Sequence, residues 1–188
     1  MDFIAFCKSL QSTALASGIR DSLLLFPLLE ALHVMALVLV FGSIVVVDLR
    51  ALGLASRSRL FSRVAADTLH WTWVGFAAAC ITGALMFSTN AQVYAANRFF
   101  QVKMLLLLLA GLNMLLFQFT AGRRLAHWDA APSAPGIGKW AAALSLALWL
   151  SIICMGRLIG FATTGAASHE PPPANIDFDD FLSGPPAK

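Results

Sequence analysis

The chain has 188 residues, 59% of them hydrophobic and only 12% charged, with a mean hydropathy of +0.75 and a net charge of +3. A water-soluble domain carries roughly 25% charged residues, so this chain has too little polar surface to cover itself in water, and lipid is its expected solvent. Its basic clusters are short and sit in loops, which argues against nucleic acid as a partner.

Within residues 1–21, Phe3, Phe6, Leu10 and Ala14 recur at helical spacing, with Lys8, Ser9, Gln11 and Ser12 elsewhere around the axis. This predicts one amphipathic helix over 2–17, lying on the outer leaflet of a membrane. It lacks the continuous apolar core of a cleavable signal peptide. Four segments exceed the ~18 apolar residues that a spanning helix needs: 22–47, 68–89, 100–121 and 139–161. Pro27 falls in the first turns of the first, where proline is tolerated. Asp67-Thr68 is the expected N-cap of the second. Trp71, Trp73 and Trp128 are expected in an aromatic belt at the membrane boundary. Pro132, Pro135, Gly136 and Gly138 break the chain before the fourth span. Residues 163–188 form a polar tail. Pro171, Pro172 and Pro173 predict an extended spacer there, followed by alternating acidic and apolar residues over 176–182 that suit docking to an outer partner. The expected fold is all-α: a four-helix membrane bundle over 22–162, between an interfacial segment and the tail.

Charge gives the orientation. Arg50, Arg57, Arg59 and Arg63 lie between the first two spans, and Arg123, Arg124 and Lys139 between the last two. The loop 90–99 has only Arg98, and the tail is acidic through Glu170, Asp177, Asp179 and Asp180. The positive-inside rule then places the two Arg-rich loops in the cytoplasm and both termini outside. Cys7, Cys80 and Cys154 show no metal-ligand spacing and imply no disulfide framework.

Ionisable groups at membrane depth are costly and mark function by default. Four qualify: Glu30, His33, Lys103 and Arg157. His33 lies about eleven residues into the first span, or ~16 Å at 1.5 Å per residue. Glu30 shares its face one turn nearer the outside. Lys103 and Arg157 lie near the outer ends of the third and fourth spans. Snorkelling accounts equally well for the two cations, and a hydrogen bond to a backbone carbonyl would satisfy His33. A porphyrin is the sharper reading, since heme takes an imidazole on iron and cations for its propionates. Phe41, Phe100, Phe117, Trp149 and Phe161 are candidate walls, and Met86, Met104, Met114 and Met155 candidate second ligands. His70 and His127 lie at the other end of the bundle, too far along the axis to share one heme with His33. Asn113 is an expected interhelical hydrogen-bond donor.

Several strings carry a resemblance. They are 26–33 (Phe26 to His33), 48–53 (Asp48 to Gly53), 82–87 (Thr82 to Phe87), 97–103 (Asn97 to Lys103), 110–113 and 156–159. Together, over about residues 20–162, they resemble a family of small, uncharacterised bacterial inner-membrane proteins. More distantly, the histidine of the first span and the Asn97-x-x-Phe100-x-x-Lys103 string resemble the HemJ-type protoporphyrinogen oxidases and the CopD-like copper-resistance proteins. That resemblance implies a functional pair at His33 and Lys103 and a bound heme b. Gln101 stands where the oxidases have a histidine.

The expected activity is that of a heme-b-binding redox protein, in electron transfer or in porphyrin oxidation, with its site in the outer half of the bundle. His33 would be the iron ligand, Lys103 and Arg157 the propionate partners, and Glu30 a proton-relay group; membrane quinone and an outer protein are the expected electron partners. Two readings from other classes stay open. One is the handling of a metal ion such as copper. The other is a non-catalytic membrane anchor for a periplasmic partner, held by the N-terminal helix and the tail.

Overall fold

The computed structural model describes residues 3–168, and the side chains of residues 3–161. The docking segment expected at 176–182 and His169 lie outside the described residues. Helices dominate: α1 (Phe3–Gln11), α2 (Ala14–Asp21), α3 (Leu25–Leu52), α4 (Phe61–Thr89), α5 (Ala91–Ala96), α6 (Arg98–Phe119), α7 (Leu125–Trp128) and α8 (Gly136–Ser168). No strand occurs among the described residues. Four helical stretches are long and apolar enough to cross a membrane: Leu25–Leu52, Phe61–Thr89, Arg98–Trp128 and Gly136–Phe161.

These helices bury small residues and expose large apolar ones. Ala36, Ser43, Ala79, Thr82, Ala110, Asn113 and Ala142 are buried, whereas Met35, Val38, Ile81, Leu105, Leu108, Leu112 and Leu144 are exposed. Water would reverse that pattern; lipid permits it, because tails solvate leucine while small side chains let backbones approach. The seam between α3 and α4 is the clearest case. Gly75, Ala79 and Gly83 repeat every four residues on α4, and a Cβ at Gly75 would lie 2.9 Å from Val40 Cγ2 and 3.1 Å from the Ala36 carbonyl. On α6, Asn113 donates from Nδ2 to the Ala141 carbonyl of α8 at 2.9 Å.

Around the bundle the order is α4, α3, α8, α6. α3 packs on both α4 and α8, and α6 packs on α8, while α4 and α6 share at most a marginal backbone contact. Side chains bridge that last seam at its two ends. Phe87 stacks on Phe100 at 5.3 Å, with Tyr94 beside both. At the other end Phe61, Phe117 and Trp128 form a second trio.

The structure corrects several sequence expectations. The single N-terminal helix is two helices, because Thr13 turns the chain and caps α2, its Oγ1 accepting from the Ala16 N–H. α4 starts at Phe61, so Asp67-Thr68 is not an N-cap; the Thr68 hydroxyl donates back to the Val64 carbonyl inside the helix. Gly136 and Gly138 belong to the first turn of α8 rather than to the break before it. Trp128 is buried and donates from Nε1 to the Ala121 carbonyl, while Trp71 and Trp73 are exposed.

Arg50 differs most from expectation. It ends α3 fully buried rather than standing in a cytoplasmic loop. Its guanidinium donates to the carbonyls of Arg59, Pro132, Asp129 and Ala131, at 2.9, 3.4, 3.2 and 2.9 Å. One side chain thus ties both Arg-rich loops to the end of α3. Ala134 N–H donates to the Ala51 carbonyl alongside. Gly53 follows in the left-handed region at φ +75, where a Cβ would lie 2.7 Å from Ser133 Cβ.

Leu60, at the N-cap position of α4, brings no capping side chain, so Asp129 serves from the opposite loop. Its Oδ1 accepts from the Ser62 N–H and its Oδ2 from the Ser62 hydroxyl, both at 2.7 Å. These bonds, the backbone N–H first, hold the Asp129 carboxyl below its ordinary value of 3.8. The folded state therefore binds this proton less readily than the unfolded state. The stabilisation is complete above the ordinary value and is lost as pH falls through the lowered one. An acid titration of the thermal midpoint in detergent should show Asp129→Ala less stable than wild type at neutral pH, with the two converging in acid. A constant gap at every pH would count against the cap.

Candidate functional site

His33 is the centre of the candidate site. It lies two turns into α3, half-buried and facing α4. Its Nδ1 is 2.9 Å from the Thr82 hydroxyl oxygen. The ring lies over Gly83, where a Cβ would come within 3.1 Å of Cε1 and 3.6 Å of Nδ1. A glycine at this step of the small-residue stripe leaves the imidazole its place between the two helices.

The hydrogen bonds favour one tautomer. The Thr82 hydroxyl has one proton, and its shortest contact is with the Ala78 carbonyl of the preceding turn, at 2.7 Å. With that proton donated to the carbonyl, Thr82 Oγ1 accepts from His33, so Nδ1 carries the hydrogen. A neutral imidazole with its proton on Nδ1 keeps the Nε2 lone pair, the arrangement a metal ligand requires.

Lys103 enters from the opposite corner. It is half-buried in α6, and its Nζ would be 3.7 Å from a Cβ at Gly156 of α8. Among the described residues it has no hydrogen bond and no ion pair. Its charge acts on the His33 imidazole. One layer of the bundle thus takes one residue from each spanning helix: His33 and Lys103 on one diagonal, Gly83 and Gly156 on the other. Asn97 caps α6 just above, its Oδ1 accepting from the Phe99 and Phe100 N–H groups. The Asn97-x-x-Phe100-x-x-Lys103 string therefore supplies a cap, a side chain of the aromatic bridge between α4 and α6, and the interior cation.

The other two ionisable residues stand further out. Glu30 is exposed one turn above His33. Its carboxylate acts on Tyr94, whose phenol is pushed above its ordinary value by burial first and by Glu30 second. Arg157 is exposed on α8, its guanidinium 5.2 Å from the centre of the Phe161 ring. It extends along its own helix and makes no contact with His33. Of the expected walls, Phe100 lies in the aromatic bridge at this end and Phe117 in the trio at the far end, while Trp149 packs with Ala110, Leu148 and Ile152. Met104 and Met114 are exposed, and Met86 and Met155 half-buried. His70 and His127 are exposed, His70 beside the Trp71 ring. Among the described residues no three His, Cys, Asp or Glu side chains gather as a metal cluster would.

Sequence reasoning overlooked Thr82, Gly83 and Gly156 as site residues, although each lies in a string of the resemblance. The four-residue repeat Gly75, Ala79, Gly83 was the available signal. No curated protein and no solved structure matches the chain. Residues 24–162, which hold the whole layer around His33 and Lys103, match the family of unknown function DUF6644, and the chain belongs to that family.

Proposed function

We propose that this bundle is a heme-b-binding redox protein of the bacterial inner membrane, with His33 as the iron ligand through Nε2. The observation that carries this reading is the Thr82–His33 hydrogen bond, which puts the imidazole proton on Nδ1 and leaves Nε2 with its lone pair. The donor set fits the group: a neutral imidazole within the span, a half-buried cation in Lys103 without an anionic partner among the described residues, and a glycine at position 83 where a Cβ would crowd the ring. Lys103 serves one propionate. Arg157, at the same end of α8, serves the other, and Glu30 with Tyr94 handles protons at the rim. When bound, heme supplies one-electron transfer, and membrane quinone and a periplasmic protein are the proposed partners. The distant resemblance to HemJ-type oxidases and CopD-like proteins supports the pairing of His33 with Lys103. The Arg-rich loops support a cytoplasmic face at their end, with both termini in the periplasm.

An optical spectrum of the detergent-purified full chain, expressed with heme available, tests the proposal. A Soret band is expected in wild type, in His70→Ala and in His127→Ala, and its loss in His33→Ala, with all four proteins inserted. Absence of the band in wild type, or its survival unchanged in His33→Ala, would overturn the reading.

A further inference from the structure

A second ionisable group lies inside the span, at the other end of α3. Asp48 is one turn before Leu52, or ~6 Å from the helix end, and ~22 Å along the axis from His33. Among the described residues its Oδ2 is the one buried side-chain oxygen or nitrogen without a hydrogen-bond partner. Ser145 of α8 is the one side chain whose hydroxyl acts on this carboxyl.

Among the described residues no charge compensates it. Arg50, two residues on, commits its guanidinium to four loop carbonyls. On α4, Arg63 and His70 are exposed, and Asp67 is paired with Arg59. On α8, Lys139 is exposed. None of these acts on Asp48. A carboxylate oxygen buried with neither donor nor cation is unfavourable as the charged form. Native structures leave few such atoms unexplained.

The structure assigns Asp48 as a proton-binding site: the buried, unpartnered Oδ2 takes a proton from the Arg-rich side of the membrane. Proton binding replaces an unpaired charge at the α3–α8 contact with a neutral acid, and release reverses this. The bundle then carries an acid near the end of α3 opposite to that of His33. This inference does not depend on heme.

Infrared spectroscopy of the full chain in a maltoside detergent, which has no carbonyl group, tests it directly. The other described carboxyls are exposed, ion-paired or bonded to Ser62, so a protonated-carboxyl stretch at neutral pH should come from Asp48. The band is expected in wild type, should fade as pH is raised, and should be lost in Asp48→Asn. If that variant fails to insert, Ser145→Ala decides, since it keeps the acid and removes the hydroxyl that acts on it; the band should then shift to higher frequency. No band in wild type at neutral pH, a band retained in Asp48→Asn, or a band unmoved in Ser145→Ala would overturn the assignment.

Discussion

Arg50→Met is expected to lose about 3–6 kcal/mol of stability, since it removes two short hydrogen bonds from a charged group at roughly 1.5–3 kcal/mol each, to the Arg59 and Ala131 carbonyls, and two longer ones. Arg50 is fully buried, and its guanidinium satisfies four carbonyls from two loops that are far apart in sequence. Methionine fills much of the volume and suits an apolar site, so the loss isolates the hydrogen bonds rather than the packing. The Arg59, Pro132 and Ala131 carbonyls lose their donor, at roughly 1–3 kcal/mol for each one left unsatisfied and buried, whereas that of Asp129 keeps the Phe61 N–H. The core beneath depends on the same tie, since Ala51, Phe61, Ala121, Trp128, Ala134 and Ala142 pack together there. Arg50→Lys should recover only part of the loss, because one ammonium cannot spread its donors across the four carbonyls as a planar fork does. Thermal unfolding in detergent, followed by near-ultraviolet circular dichroism from the buried Trp128, measures both variants. A methionine variant within about 1 kcal/mol of wild type, the size of an ordinary substitution effect, would show that the loops hold without this arginine.

The same residue shows how far the sequence could be read. The four spans were legible because lipid-facing helices need long apolar runs, whatever lies inside them. Hydropathy does not say which arginine of a basic loop turns inward. Arg50 and Arg59 belong to the same charge cluster, yet one is enclosed and the other pairs with Asp67 at the surface. The partners of Arg50 are backbone carbonyls, which carry no residue identity, so no pattern of side chains announces them. The start of α4 failed for a related reason: its cap comes from Asp129, 67 positions away in the chain. At the candidate site the ionisable residues were legible one at a time, because charge and imidazole are rare at membrane depth. Their arrangement was not. It depends on the ring order of the helices and on two glycines whose meaning appears only once His33 and Lys103 lie against them.

Thr82→Val should lower heme affinity by about 10–100-fold, the range seen when a residue that orients a metal ligand is removed. Valine keeps the branched shape of threonine and replaces the hydroxyl with a methyl group. The Ala78 carbonyl loses only an additional donor, since it remains in the α4 ladder. Fold stability should therefore change little, by about 0.6 kcal/mol for a hydrogen bond within a membrane bundle. His33 is affected far more. Without an acceptor at Nδ1 the ring is free to place its hydrogen on Nε2, which removes the lone pair that would meet iron. Thr82→Ser keeps the hydroxyl and should bind as wild type does. Gly83→Ala brings a Cβ within 3.1 Å of Cε1; the ring must shift by a few tenths of an ångström, and binding should weaken less than in Thr82→Val. Heme titration of the three purified variants, read at the Soret band, gives the order. If Thr82→Val binds as tightly as Thr82→Ser while His33→Ala does not bind, His33 holds the iron but Thr82 does not set its tautomer. If His33→Ala also binds normally, the imidazole is not the ligand, and its bond to Thr82 serves to join α3 to α4.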